Sequence, residues 1–228
     1  MKLLAVVAAV GALTVSLVAQ ADIDPARFAS GAIPVVPVRM TAAGDVIVSA
    51  TVSEAGTVTA VDVLRSTPPL TDAVLQAARG WRFSPALDST RKPMESHVLI
   101  EMLSLAPSLY TPTVGTPPKD VAGPDPRTPY PARTQVPLYP VNARTEGSVL
   151  VEGRVDPAGH VVGVTAVRSA PPFDTVALDA VRSWTFRPAQ GPKVPLSTYV
   201  YVVFAFRQPL VGTSPPLGTS TPPTPPTP

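Results

Sequence analysis

The chain says nearly the same thing twice, and that constrains its fold more than anything else in it. Residues 34–86 align without a gap on residues 137–189 at a shift of 103, with 22 of 53 positions identical. The firmest anchors are Gly-Trp-Arg-Phe-Ser-Pro-Ala at 80–86 and Ser-Trp-Thr-Phe-Arg-Pro-Ala at 183–189. Two units of about 70 residues each are predicted, and every residue acquires an internal control. What both copies keep marks fold. What one copy alone carries marks function. Units this small bury little core, so docking of one copy on the other is a way to gain stability.

Composition excludes several classes. The chain of 228 residues has a net charge of +2 and no cysteine. The charge is too small to draw in nucleic acid. Disulfides, thiolate catalysis and zinc-thiolate sites are ruled out. The two histidines, His97 and His160, face Tyr199 and Thr57 in the other copy and have no carboxylate at ligand spacing, so no metal or cofactor site is expected. No Gly-x-Ser-x-Gly elbow and no Gly-rich phosphate loop occurs. Asp72, Asp156, Asp174 and Asp179 read as turn, cap or helix-surface residues, and no enzyme is predicted.

The N-terminus reads as an export signal. Lys2 precedes an uncharged, mostly apolar run at 3–19, and Ala19-Gln20-Ala21 has the small-x-small pattern of a cleavage site. A periplasmic protein cut after Ala21 is expected; the alternative is an uncleaved inner-membrane anchor, since the run is at the short edge of spanning length. The remaining boundaries follow composition: a leader at 22–33, copy one at 34–105, a Pro-rich linker at 106–135, copy two at 136–208 and a Pro/Thr-rich tail at 209–228.

Each copy repeats the same elements. Val46, Val48, Ala50 and Val52 alternate, as do Val149, Val151, Gly153 and Val155, which predicts a strand with one buried face. The turns Ser53-Glu54-Ala55-Gly56 and Asp156-Pro157-Ala158-Gly159 suit a type I geometry. The second strand, 57–65 and 160–168, puts its shared valines on opposite faces, which predicts a bulge or burial on both sides. Ser-x-Pro-Pro stops it. A helix follows, capped by Thr71 or Asp174, with Leu70 and Leu75, or Phe173 and Leu178, at staple spacing. Its apolar stripe is Val74, Ala77, Ala78, Trp81, or Ala177, Ala180, Val181, Trp184. Both tryptophans read as core. Arg79 and Arg182 in the last turn favour the helix dipole. A Pro-rich loop, one residue longer in copy one, leads to the last strand at 95–103 and 197–206. The predicted class is α+β: two tandem small domains, each a three-stranded antiparallel sheet with one helix packed on one face.

These residues resemble the TonB C-terminal domain. Tyr139-Pro140-x-x-Ala143-x-x-x-Glu146-Gly147 opens copy two, and Asp156-x-x-Gly159 marks its hairpin. Ser169-x-Pro-Pro-Phe173-Asp174, Ala177-Leu178-x-Ala180-Val181-Arg182 and Trp184-x-Phe186-x-Pro188-Ala189 close it. Copy one keeps Ser66-x-Pro-Pro and Trp81-x-Phe83-x-Pro85-Ala86, with Val36 and Met40 in place of Tyr139 and Ala143. The resemblance implies a periplasmic peptide-binding module whose last strand has an open edge, joined by an extended segment of an outer-membrane transporter. On that strand Val200, Val202 and Phe204 match the core residues Val98, Ile100 and Met102. On the other face Tyr199, Tyr201 and Val203 replace His97, Leu99 and Glu101, and these three are the expected peptide-binding residues. The alternative is that the tyrosines pack against copy one or on a helix of their own domain. The leader reaches only about 40 Å from a membrane anchor. Two other roles remain: an anchored energy transducer, and a structural envelope protein engaging peptidoglycan.

Overall fold

The computed structural model describes residues 23–38, 40, 43–105, 125–141 and 143–208. The export signal, most of the linker and the tail lie outside the described residues. In chain order the first copy contributes β1 (Arg27–Ser30), β2 (Gly44–Val52), β3 (Val58–Arg65), α1 (Leu70–Arg79), β4 (Arg82–Ser84), β5 (Ala86–Leu87), β6 (Pro93–Met94) and β7 (Ser96–Leu105). The second contributes β8 (Tyr130–Arg133), β9 (Gly147–Val155), β10 (Val161–Arg168), α2 (Asp174–Arg182), β11 (Thr185–Arg187), β12 (Ala189–Gln190), β13 (Pro195–Leu196) and β14 (Thr198–Phe206).

Within each copy the three long strands pair antiparallel, β3 on β2 on β7 and β10 on β9 on β14. They do not form two sheets. β7 and β14 lie side by side and parallel, from Leu99 opposite Val200 to Leu105 opposite Phe206. The result is one six-stranded sheet in the order β10-β9-β14-β7-β2-β3. The expectation of separate three-stranded sheets is corrected here. The physical reason is in the last strands themselves. Ser-His-Val-Leu-Ile-Glu-Met-Leu-Ser-Leu and Thr-Tyr-Val-Tyr-Val-Val-Phe-Ala-Phe are apolar on both faces, as centrally buried strands are.

The two helices cover opposite faces of this sheet. Val74 and Ala78 of α1 share a core with Val48, Ile100 and Met102, and also with Tyr201, Val203 and Ala205 of the other copy. Ala177 and Val181 of α2 share theirs with Val151, Val202 and Phe204, and with Ile47, Leu99 and Leu103. Successive strand residues point to opposite faces. Each copy's second face is therefore buried by its neighbour's elements. The copies are related by an approximate two-fold axis along the strands, between β7 and β14.

The repeat extends further back than the sequence reveals. β1, inside the segment read as a leader, pairs with β4, and β8, inside the segment read as linker, pairs with β11. Phe28 sits opposite Phe83, and Pro131 opposite Phe186, again at a shift of 103. The indole Nε1 of Trp81 donates to the Ala32 carbonyl at 2.8 Å, and that of Trp184 to the Gln135 carbonyl at 2.9 Å. Both tryptophans are buried, as expected of core residues.

Local readings fare variously. The hairpins close with Gly56 N–H on the Ser53 carbonyl at 2.9 Å and Gly159 N–H on the Asp156 carbonyl at 3.0 Å. Glycine is required there: φ is +76° and +88°, and a Cβ would lie 1.9 Å from the Phe83 or Phe186 carbonyl oxygen. β3 and β10 carry register shifts, so the expected bulge is present. Thr71 and Asp174 do not cap their helices. The Thr71 hydroxyl accepts from the Thr67 N–H, and the Asp174 carboxylate from the Ala170 N–H. Both bind back four residues, fastening the Ser-x-Pro-Pro turn. α1 starts one residue earlier, at Leu70, with no side-chain cap.

Candidate binding cleft

The edge expected to receive a peptide is closed. Over residues 200–206, β14 has β7 on one side and β9 on the other. Tyr201 and Val203 are fully buried in the core on the α1 face. The Tyr201 ring packs at 5.6 Å from Phe83 and 5.9 Å from Trp81. Its hydroxyl accepts from the Phe28 N–H at 2.8 Å and donates to the Glu152 carboxylate at 3.3 Å. Burial, then the Glu152 charge, pushes the phenol well above its usual range. Neither side chain meets solvent, so Tyr201 and Val203 hold the joint together and are corrected as contact residues.

Tyr199 is different. It is half-buried, with the Arg27 guanidinium 5.5 Å above its ring. It stands on the wall of a cleft of about 530 Å³ at the starts of β7 and β14. The parallel ladder begins only at Leu99 and Val200. Ahead of it, Ser96, His97 and Val98 pair with β2 alone, and Thr198 and Tyr199 with β9 alone. The last-strand edges are thus open to one another over these first residues. Both copies build the cleft, with Met94 and Ala86 from one, Leu196 and Gln190 from the other, and Ile23 and Pro126 from the segments preceding β1 and β8.

Three lining side chains bear polar atoms shielded from solvent and without a hydrogen-bond partner: Ser96 Oγ, His97 Nε2 and Thr198 Oγ1. Such atoms cost free energy unless something pairs with them. Burial, then the Arg127 charge, holds the His97 imidazole below its ordinary value, so it is neutral at pH 7. At the rim Arg127 is paired with Asp125 at 2.6 Å and with Glu95 at 3.8 Å. The hydrogen bonds from Arg127 hold the Asp125 carboxyl at about 2. The mouth holds one cation and two carboxylates, a net charge of −1 on exposed side chains, and the floor is uncharged.

The sequence did carry a signal for this place. The copies lose their 103-residue register in the loops before the last strands, where copy one has one extra residue. Those loops are the rim. Among the described residues no group of three metal-ligating side chains occurs, and no helix is long and apolar enough to cross a membrane.

No curated protein matches the chain significantly. The family model described as Gram-negative bacterial TonB protein C-terminal matches it twice, at residues 34–102 and 135–207. The matches end where the last strands pair with one another, and together they span more than half of the sequence. The chain therefore belongs to the TonB C-terminal family, as a tandem of two such domains.

Proposed function

We propose that the protein is a non-enzymatic periplasmic binding module that takes an extended peptide segment of an envelope protein, such as an outer-membrane transporter, into the cleft between its copies. Domains of this family generally interact with outer-membrane transporters. The observation that carries the reading is the gap in the parallel ladder: Ser96–Val98 and Thr198–Tyr199, ahead of the β7–β14 pairing, line a largely apolar cavity. Strand addition needs an unpaired edge and pockets for alternate side chains. Elsewhere along β7 and β14 the edge is taken.

The test is an NMR titration of the full mature chain with synthetic extended segments of outer-membrane transporters. Amide shifts are expected at Ser96, His97, Val98, Thr198 and Tyr199, with little change from Val202 to Phe206. Shifts confined to the outer edges β3 and β10, or none at all, would contradict the reading.

A further inference from the structure

We infer that the cleft selects a segment whose inward side chain is uncharged and both donates and accepts hydrogen bonds, a primary amide or a hydroxyl, on an otherwise apolar peptide; this rests on the function proposed above. Continued two residues ahead of Leu99 and Val200, the ladder register puts His97 level with Thr198, on one face of the sheet. Their unpartnered atoms, His97 Nε2 and Thr198 Oγ1, belong to side chains that line the cleft, as does Ser96 Oγ from the next position along β7. A hydroxyl gives or takes a proton, and the neutral imidazole nitrogen does one or the other according to its tautomer. An amide presents both kinds of group and satisfies the pair whichever tautomer holds.

A charged side chain would fare badly there. Arg127, the cation among the lining residues, is engaged by Asp125 and Glu95. An entering carboxylate or ammonium would give up its water inside the cleft, where the only ions are exposed at the rim and no buried countercharge replaces that water. An aliphatic side chain would suit the walls, formed by Ala86, Met94, Val98 and Leu196, but would leave the polar atoms unpaired.

Four blocked seven-residue peptides, identical but for glutamine, leucine, glutamate or lysine at the centre, test this by calorimetry at pH 7.5 on the full mature chain. The glutamine peptide is expected to bind at least tenfold tighter than the glutamate and lysine peptides, and several-fold tighter than leucine. In the double variant H97F/T198V the glutamine preference over leucine should vanish while the leucine peptide still binds, which a merely unfolded variant would not allow. Equal affinities for all four peptides would overturn the inference and leave the peptide-binding reading standing. Binding of none of them would overturn both.

Discussion

Tyr201→Ala is expected to bring the protein to the edge of unfolding, although the same residue on an open strand would tolerate the change. Removing a fully buried aromatic side chain costs about 3–5 kcal/mol. Here it also strips the Phe28 N–H of its acceptor and the buried Glu152 carboxylate of a donor. The orphaned Phe28 N–H adds about 1–3 kcal/mol, while Glu152 keeps its ion pair with Arg27. The sum is comparable with the whole stability of a domain, roughly 5–15 kcal/mol. Tyr201→Phe keeps the packing with Phe28, Trp81 and Phe83, loses only the hydroxyl's hydrogen bonds and should cost about 1–3 kcal/mol. Tyr199→Ala, on a half-buried cleft wall, should cost about 1 kcal/mol and act on ligand affinity instead. Urea denaturation of the three variants checks the order. A Tyr201→Ala protein as stable as the parent would mean that the ring is not in the joint.

The second large effect belongs to Glu101, which is expected to make the fold weaken as pH rises. It lies in β7, level with Ile47 of β2 and Val202 of β14, in the middle of the sheet. It is fully buried, and neither carboxyl oxygen has a hydrogen-bond partner. Burial first, then the charge of Asp45, pushes it up to about 8, against an opposing pull from Arg65. The ordinary value is 4.5, so between 4.5 and about 8 the unfolded chain has released a proton that the folded one keeps. The unfolded state binds fewer protons over that window, and stability falls with pH by about 1.4 kcal/mol per unit. Between pH 5 and 7.5 the loss is roughly 3 kcal/mol. His97, held below its ordinary value, works in the opposite sense below pH 6.5. The difference between parent and Glu101→Gln isolates the carboxyl, since glutamine cannot titrate. Glu101→Leu should be more stable than the parent at pH 7.5 by about 3 kcal/mol, because the folded parent must keep an unpartnered carboxyl protonated there and leucine packs without that cost. Parallel pH profiles for parent and Glu101→Gln would refute the assignment.

Much of this fold is legible in the residues themselves. The repeat, the hairpin glycines, the helix stripe and the two core tryptophans follow from spacing and residue type alone. The joint does not, because an apolar outer face has the same pattern whether it waits for a ligand or meets its own second copy. Tyr199, Tyr201 and Val203 were read on that face, and only the first reaches the cleft. What distinguishes the cases is the apolar character of both faces of β7 and β14, interrupted by Glu101 alone among charged residues. β1 and β8 stayed hidden because pairing to a short strand asks little of side chains: Arg27 and Phe28 correspond to Tyr130 and Pro131. The cleft is assembled from segments far apart in the chain, and only the break in repeat register points to it.

The central claim is that the last strands of the two copies pair with each other and leave only their first residues open. Interstrand nuclear Overhauser effects between β7 and β14 in the full chain test it without altering a residue. Backbone contacts linking Leu99 with Val200 and continuing to Leu105 with Phe206 are the expected result. Their absence, with β14 amides exchanging like those of a bare edge, would contradict it.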